Sequence, residues 1–221
     1  KYVEGRERGE IWGLQTVGIA KSEEEMQAHL SSLPKGGQEA IGSKWSAGDI
    51  MYRDLNGDGK ISKGASTLDD HGDLKVIGNS TPRYFFGIDL NADWKGFDVR
   101  LFFQGVMKRD NFCGYLFGAR GDKDMWHARG LVEHQDYFRA QAIGIDGHEL
   151  PANLDAYYPR PVFKEGAKNQ ETQSRYLQDA SYIRLKNFQL GYTLPIKWMK
   201  NIGLTKCRVF VSGENLWTGT S

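Results

Sequence analysis

Charge imbalance, cysteine and long apolar runs are all scarce in this 221-residue chain. With 29 Lys+Arg against 28 Asp+Glu the formal charge is +1. That leaves no basic surplus to hold a phosphate backbone, so no nucleic-acid partner is expected. The two cysteines, Cys113 and Cys207, are too few and too far apart for a disulfide framework or a zinc knuckle. Each reads as a lone buried or strand-borne thiol. No stretch approaches the ~18 apolar residues of a membrane-spanning helix, and mean hydropathy is −0.56. A helical membrane protein is excluded; a strand-built one is not. No apolar leader follows Lys1-Tyr2-Val3-Glu4-Gly5, and both ends read as cut from something longer, so a missing targeting signal says nothing of location.

Glycine and aromatic residues are what the chain has in quantity. It carries 27 Gly, 39% hydrophobic and 12% aromatic residues, enough to bury a core and too much for disorder. A Gly-rich, aromatic-rich, helix-poor chain is built from strands and turns, and an all-β fold is expected. Glu10–Ala20 reads as a strand. Ser22 and Glu25 then form a capping box, and Met26, Leu30 and Leu33 stripe one short helix that Pro34 ends.

The clearest pattern is a hairpin. Tyr84, Phe86, Ile88, Leu90, Ala92 and Trp94 alternate with Asp89, Asn91 and Asp93, which gives one apolar and one polar face. Lys95-Gly96 makes the turn, and Phe97, Val99, Leu101 and Phe103 return on the apolar side. Both strands reach the ~9–11 residues that a tilted barrel strand needs to cross a bilayer. A second pair runs over Ser181–Leu194 and Arg208–Leu216. Its phase slips from Ile183 and Leu185 to Phe188, Leu190 and Tyr192, so a bulge is expected near Lys186-Asn187. Pro195 opens a connection with a helical turn that Gly203 caps. Residues 107–180 hold little strand pattern and read as one long loop region. Short turns on one side and a long loop on the other is an outer-membrane barrel asymmetry.

Little points to catalysis. There is no Walker loop, nucleophile elbow or dinucleotide fingerprint, and nothing singles out a carboxylate pair. His29, His71, His127, His134 and His148 have no metal spacing and read as solvated loop residues. The sharpest motif is Asp54-Leu55-Asn56-Gly57-Asp58-Gly59-Lys60-Ile61-Ser62, the first nine positions of a calcium loop. Asp54, Asn56, Asp58 and the Lys60 carbonyl supply hard oxygens around a structural calcium ion. Ala65 stands where the closing acid belongs, so Asp69, Asp70 or Asp73 must close the shell past an insertion; residues 54–78 form this calcium-loop-like segment. Aromatics of the long region, chiefly Tyr115, Trp126, Tyr157 and Tyr158, could stack on substrate rings.

These motifs resemble the SusC/RagA family of TonB-linked outer-membrane transporters of Bacteroidetes-type bacteria. DLNGDGKI (54–61), VIGN (76–79), WKGFD (94–98), FFQGV (102–106), SYIRLKNFQLGYTLP (181–195) and RVFVSGENL (208–216) recur there in this order. The resemblance implies that residues 1–221 are the C-terminal portion of a large antiparallel transmembrane β-barrel, 22-stranded in the family, with one short loop helix and long extracellular loops. The plug, the TonB-contacting segment and the final strand would lie outside the chain. It also implies import of oligosaccharide, or in some members peptide, across the cell outer membrane. TonB supplies the energy, a SusD-like lipoprotein covers the mouth, and no enzyme activity is involved. Family spacing before Val76-Ile77-Gly78 favours Asp73 as the closing acid, with Lys63–Gly72 bulging out, and Asp69 and Asp70 as rivals. The alternative is a soluble calcium-stabilised β-domain that binds carbohydrate or a partner protein; its apolar faces would meet a second sheet.

Overall fold

The computed structural model of the chain describes residues 4–113, 132–145, 147–162, 166–199 and 203–220. In chain order the elements begin with β1 (Glu10–Leu14), β2 (Thr16–Ile19), α1 (Glu23–Ser31), β3 (Ile50–Tyr52) and β4 (Leu74–Asn79). Then follow the long strands β5 (Tyr84–Trp94) and β6 (Phe97–Met107), and the short β7 (Asp110–Phe112), β8 (Ile143–Ile145), β9 (His148–Leu150) and β10 (Leu177–Asp179). The chain closes with β11 (Tyr182–Thr193), α2 (Ile196–Met199) and β12 (Arg208–Thr220). It divides into two units, Lys1–Asn79 with Phe112–Gln178, and Ser80–Asn111 with Asp179–Ser221.

The first unit carries the apolar core. Glu10–Ala20 is two strands rather than the single one expected. β1 runs antiparallel to β4 with Leu14 opposite Leu74, whereas β2 runs antiparallel to β3 with Ile19 opposite Ile50. The break at Gln15 lets consecutive strands take different partners. The Ser22 hydroxyl accepts from the Glu25 amide at 3.2 Å. The Glu25 carboxylate reaches back one residue further than in a capping box and accepts from the Lys21 amide at 2.6 Å. The α1 stripe places Met26 and Leu33 in the core with Leu14, Ile50, Tyr52, Ile61 and Leu74. Residues 112–178 belong to the same unit: Phe138, Ala156 and Tyr176 join this core, and the Leu14 amide donates to the Thr172 carbonyl at 2.8 Å. Sparse strand pattern here therefore accompanies packing against the N-terminal segment.

A buried polar cluster fastens the two segments of this unit. Asp49 is fully buried. It accepts from both Nε and Nη2 of Arg160 at 3.0 Å, from Lys168 Nζ at 2.8 Å and from Asn169 at 2.9 Å. Lys168 also donates to the Ser43 and Lys44 carbonyls and lies over the Trp45 ring. All three ammonium donors are thus used, the condition under which a buried charge is tolerated. Burial pushes the Asp49 carboxyl up, but the Arg160, Lys168 and Asn169 hydrogen bonds outweigh it and hold the group below the usual range.

The second unit is a four-stranded antiparallel sheet in the order β12-β11-β6-β5. The Lys95-Gly96 turn has φ of 46° and 88°, the doubly left-handed form that matches strand twist and that Gly takes without strain. Ile88 lies opposite Phe103, and Leu90 opposite Leu101, so both apolar rows share a face as the alternation requires. Phe103, Leu101 and Val99 continue to Leu185, Phe188 and Leu190 of β11. The register shifts between Leu185 and Asn187, where the phase slip predicts a bulge. The extra residue keeps the apolar side chains before and after it on one side.

This sheet has almost no core. Of the buried hydrophobic side chains among the described residues, the second unit contributes Val106 alone. Leu90, Trp94, Val209, Val211 and Trp217 are all more than half exposed. A soluble sandwich would bury these rows under a second sheet; here they stay open.

Candidate functional site

The acidic loop is built from backbone amides turned toward carboxylates. Asp54 Oδ1 accepts from the Gly57 amide at 2.6 Å and Oδ2 from the Gly59 amide at 2.8 Å. Asn56 accepts from the Asp58 amide, and Asp58 from the Lys60 amide. Ile61 is wholly buried, and its amide donates to the Gly37 carbonyl at 2.7 Å, which ties the loop to the core.

Of the three candidate closing acids, Asp73 comes back to the loop. It is fully buried, and its two oxygens accept from the Leu55 and Ser62 amides, each at 2.8 Å. The Asp73 amide donates to the Ser62 carbonyl at 2.8 Å, so residues 63–72 leave and rejoin the chain at one point. Asp70 is spent within that excursion on the Ala65 amide at 3.0 Å, and Asp69 is exposed. Among the described residues, no Lys or Arg pairs with Asp54, Asp58 or Asp73. Among the described residues, no three His, Cys, Asp or Glu side chains gather as a ready metal cluster. The donor set is nevertheless of the hard-oxygen kind that suits calcium.

Of the aromatics expected at substrate, Tyr115 and Trp126 lie outside the described residues. Tyr157 and Tyr158 pack edge to face at 4.9 Å, and both approach the buried Tyr176. Tyr157 stays 40% exposed, its ring under the Arg175 guanidinium at 5.8 Å. Arg175 holds the chain there by donating to the Ala156 and Tyr157 carbonyls. Tyr157 can therefore offer part of a face to a ligand, while Tyr158 is mostly packing. A groove of about 660 Å³ beside the end of α1, with Leu30, Leu33, Gln38 and Trp45 in its walls, contains neither tyrosine.

The histidine expectation needs correcting in two places. His134 is buried, edge-on to Tyr158 at 5.1 Å. His29 lies on α1, half-buried, its Nε2 3.2 Å from Gln38 Oε1. That oxygen already accepts from the Tyr52 amide, and the Gln38 amide group donates to the Ile50 carbonyl. Nε2 must therefore carry the hydrogen, and burial lowers the His29 pKa. Cys113 and Cys207 are half-buried, and no disulfide links them. Sequence reasoning missed the Asp49 cluster, whose partners stand 111 to 120 residues away.

The polar face of the sheet carries paired charges. Arg100 bonds Asp89 through Nε and Nη2. Arg208 of β12 reaches across β11 to Asp98 of β6, with bonds of 2.9 and 2.5 Å. Gly191 stands between them, where a Cβ would come within 2.6 Å of both partners. The crossing is open only because that residue has no side chain.

No family model matches the chain. It is 29% identical to the TonB-dependent receptor P3 of Formosa agariphila over 98% of its length, and 24% identical to receptor P26 of the same organism over 92%. It spans less than a fifth of these relatives, 18% and 17% of their lengths. Two solved structures share its fold over 96% and 95% of the chain and 19% of their own. They are the RagAB peptide transporter (TM-score 0.58, 16% identity) and the RagAB peptide importer in its open-open state (0.51, 19%). All are named receptors, transporters or importers and none an enzyme. The chain is thus similar along nearly its whole length to a piece of TonB-dependent receptors and has the fold of the matching piece of RagAB, which bears out its resemblance to SusC/RagA-type transporters.

Proposed function

We propose that the chain is the wall and outer-loop portion of an outer-membrane barrel that imports a nutrient with energy delivered through TonB. One observation carries this reading: a four-stranded sheet whose strands run 11 to 13 residues and whose apolar face is open. Its exposed Ile88, Leu90, Val211 and Trp217 suit hydrocarbon, and its charged face suits a water-filled lumen. Similarity to TonB-dependent receptors supports the same reading. The cargo is an oligosaccharide or a peptide, the second favoured by the peptide-importing neighbours, and a SusD-like lipoprotein closes the mouth. Tyr157 meets cargo with its open face. The acidic loop takes calcium in a structural role: Asp54, Asn56, Asp58 and the Lys60 carbonyl hold it, and Asp73 closes the shell. The ion supplies the counter-charge that no Lys or Arg among the described residues provides there.

Uptake tests the proposal. A strain lacking the gene for the full-length protein should lose uptake of either labelled oligosaccharides or labelled peptides, and the gene should restore it only while TonB is present. Undiminished uptake of both classes would refute the import reading.

A further inference from the structure

We infer that Asn56-Gly57 is a self-modifying site, at which the Asn56 carboxamide becomes a carboxylate through a cyclic imide without any enzyme. Nine asparagines stand in the chain, and Asn56 alone is followed by glycine. Ring closure needs the amide nitrogen of the next residue to reach the side-chain carbonyl carbon, and a side chain on that residue obstructs it. Both residues are exposed, and a Cβ added at Gly57 would meet nothing within 4 Å. The peptide between them has room to turn, and water has access to the imide.

The hydrogen bonds around this dipeptide supply the base and the donor that the reaction needs. Asp54 Oδ1 accepts from the Gly57 nitrogen at 2.6 Å, so a carboxylate is in place to take that proton as the nitrogen attacks. The Asp58 amide donates to Asn56 Oδ1 at 2.9 Å, where negative charge grows as the tetrahedral intermediate forms. The Gly57 nitrogen bonds to Cγ of Asn56 and its proton passes to Asp54. The Cγ–Nδ2 bond then breaks, and the leaving nitrogen takes the proton and departs as ammonia. Water opens the imide at either carbonyl to give aspartate or isoaspartate, with nothing oxidised or reduced. Asp58-Gly59 repeats the arrangement, Asp58 accepting from the Lys60 amide and Gly59 donating to Asp54 Oδ2. There a carboxylate stands in place of the carboxamide and resists attack, and a Cβ at Gly59 would lie 3.3 Å from Pro34. Asn56 is also a donor of the calcium shell proposed above, so conversion rewrites that shell. Aspartate adds a charge at the same spacing; isoaspartate lengthens the main chain by a methylene and breaks the alternate spacing.

Conversion at Asn56 is followed by mass spectrometry in the full-length protein, folded in detergent with chelator, and in a synthetic peptide of residues 50–62, which has the sequence without the fold. Trypsin, cutting after Arg53 and Lys60, releases the segment to be weighed. The folded protein should convert about tenfold or more faster than the peptide. Its rate should be nearly level from about pH 6 to 8, because a carboxylate takes the proton, whereas the peptide's should rise about tenfold per pH unit with hydroxide. Asp54→Asn keeps an acceptor for both glycine amides but removes the base, and should bring the folded protein to the peptide's rate and pH slope. A folded rate at or below the peptide's overturns the proposal. So does an Asp54→Asn protein that melts like wild type and converts as fast. The comparison with the peptide needs no variant, so it decides the matter even if Asp54→Asn fails to fold.

Discussion

Asp49 and Lys168 show what single residues carry. Removing the carboxylate by Asp49→Ala leaves an ammonium group in a site with 1% side-chain exposure. Breaking a buried pair from one side costs about 3–5 kcal/mol. Chemical unfolding of the first unit within the full-length protein should show a loss of that order, and Asp49→Asn a smaller one. Because the Asp49 pKa is lowered, its stabilisation is complete above the unfolded value of about 4 and fades as pH falls through the folded value. His29 has the same sign for another reason: burial disfavours its charged form. Stability should therefore drop as pH falls below about 6.5, and His29→Gln should remove that part of the slope. An unchanged slope would mean that His29 charges freely in place. At the acidic loop, Asp58→Ala should lower the calcium-dependent part of the melting temperature. Equal melting of variant and wild type, with and without chelator, would make the loop a turn and nothing more.

The elements differ in how far their sequence announced them. The β5–β6 hairpin could be read because its pattern is local: period two along each strand, and Lys95-Gly96 where a left-handed turn is needed. The bulge could be read because a phase slip between Leu185 and Phe188 can keep one face apolar only by adding a residue. The division at Gln15 could not, since partners for β1 and β2 are chosen by Leu74 and Ile50 far along the chain. Nor could the Asp49 cluster or the burial of His134, because nothing near a charged residue signals a partner more than a hundred positions away. Asp73 lay between: the loop motif demanded an acid, but the fold had to bring one past the excursion at 63–72. For the sheet, Ile88→Arg should cost about 2–4 kcal/mol if that face meets lipid midplane, read from unfolding of the full-length protein in vesicles. A change below about 0.5 kcal/mol, as at an ordinary surface position, would place Ile88 in water. Gly191→Ala should break the Arg208–Asp98 bridge by occupying its crossing point. A charge-neutral pair, Asp98→Asn with Arg208→Gln, should then be insensitive to the same alanine.

At the scale of the molecule, the two units solve burial differently. The first gathers its apolar side chains inside, around Leu14, Tyr52 and Tyr176; the second turns them outward along four long strands. A sheet of that kind has unpaired edges at β5 and β12 among the described residues, and open apolar edges pair with other chains. Expressed by itself in buffer, the 221-residue chain should aggregate, and a monodisperse monomer that melts cooperatively without detergent would speak against the membrane reading. The most direct measurement is a residue-by-residue scan of β5 in the full-length protein reconstituted in vesicles. A label is placed in turn at each position from Tyr84 to Trp94 and its quenching by nitroxide lipid recorded. The account predicts alternation with period two, high at Phe86, Ile88, Leu90 and Ala92 and low at Gly87, Asp89, Asn91 and Asp93, deepest near Ile88 and Leu90. Uniform quenching along the strand, or alternation with the opposite phase, would contradict it.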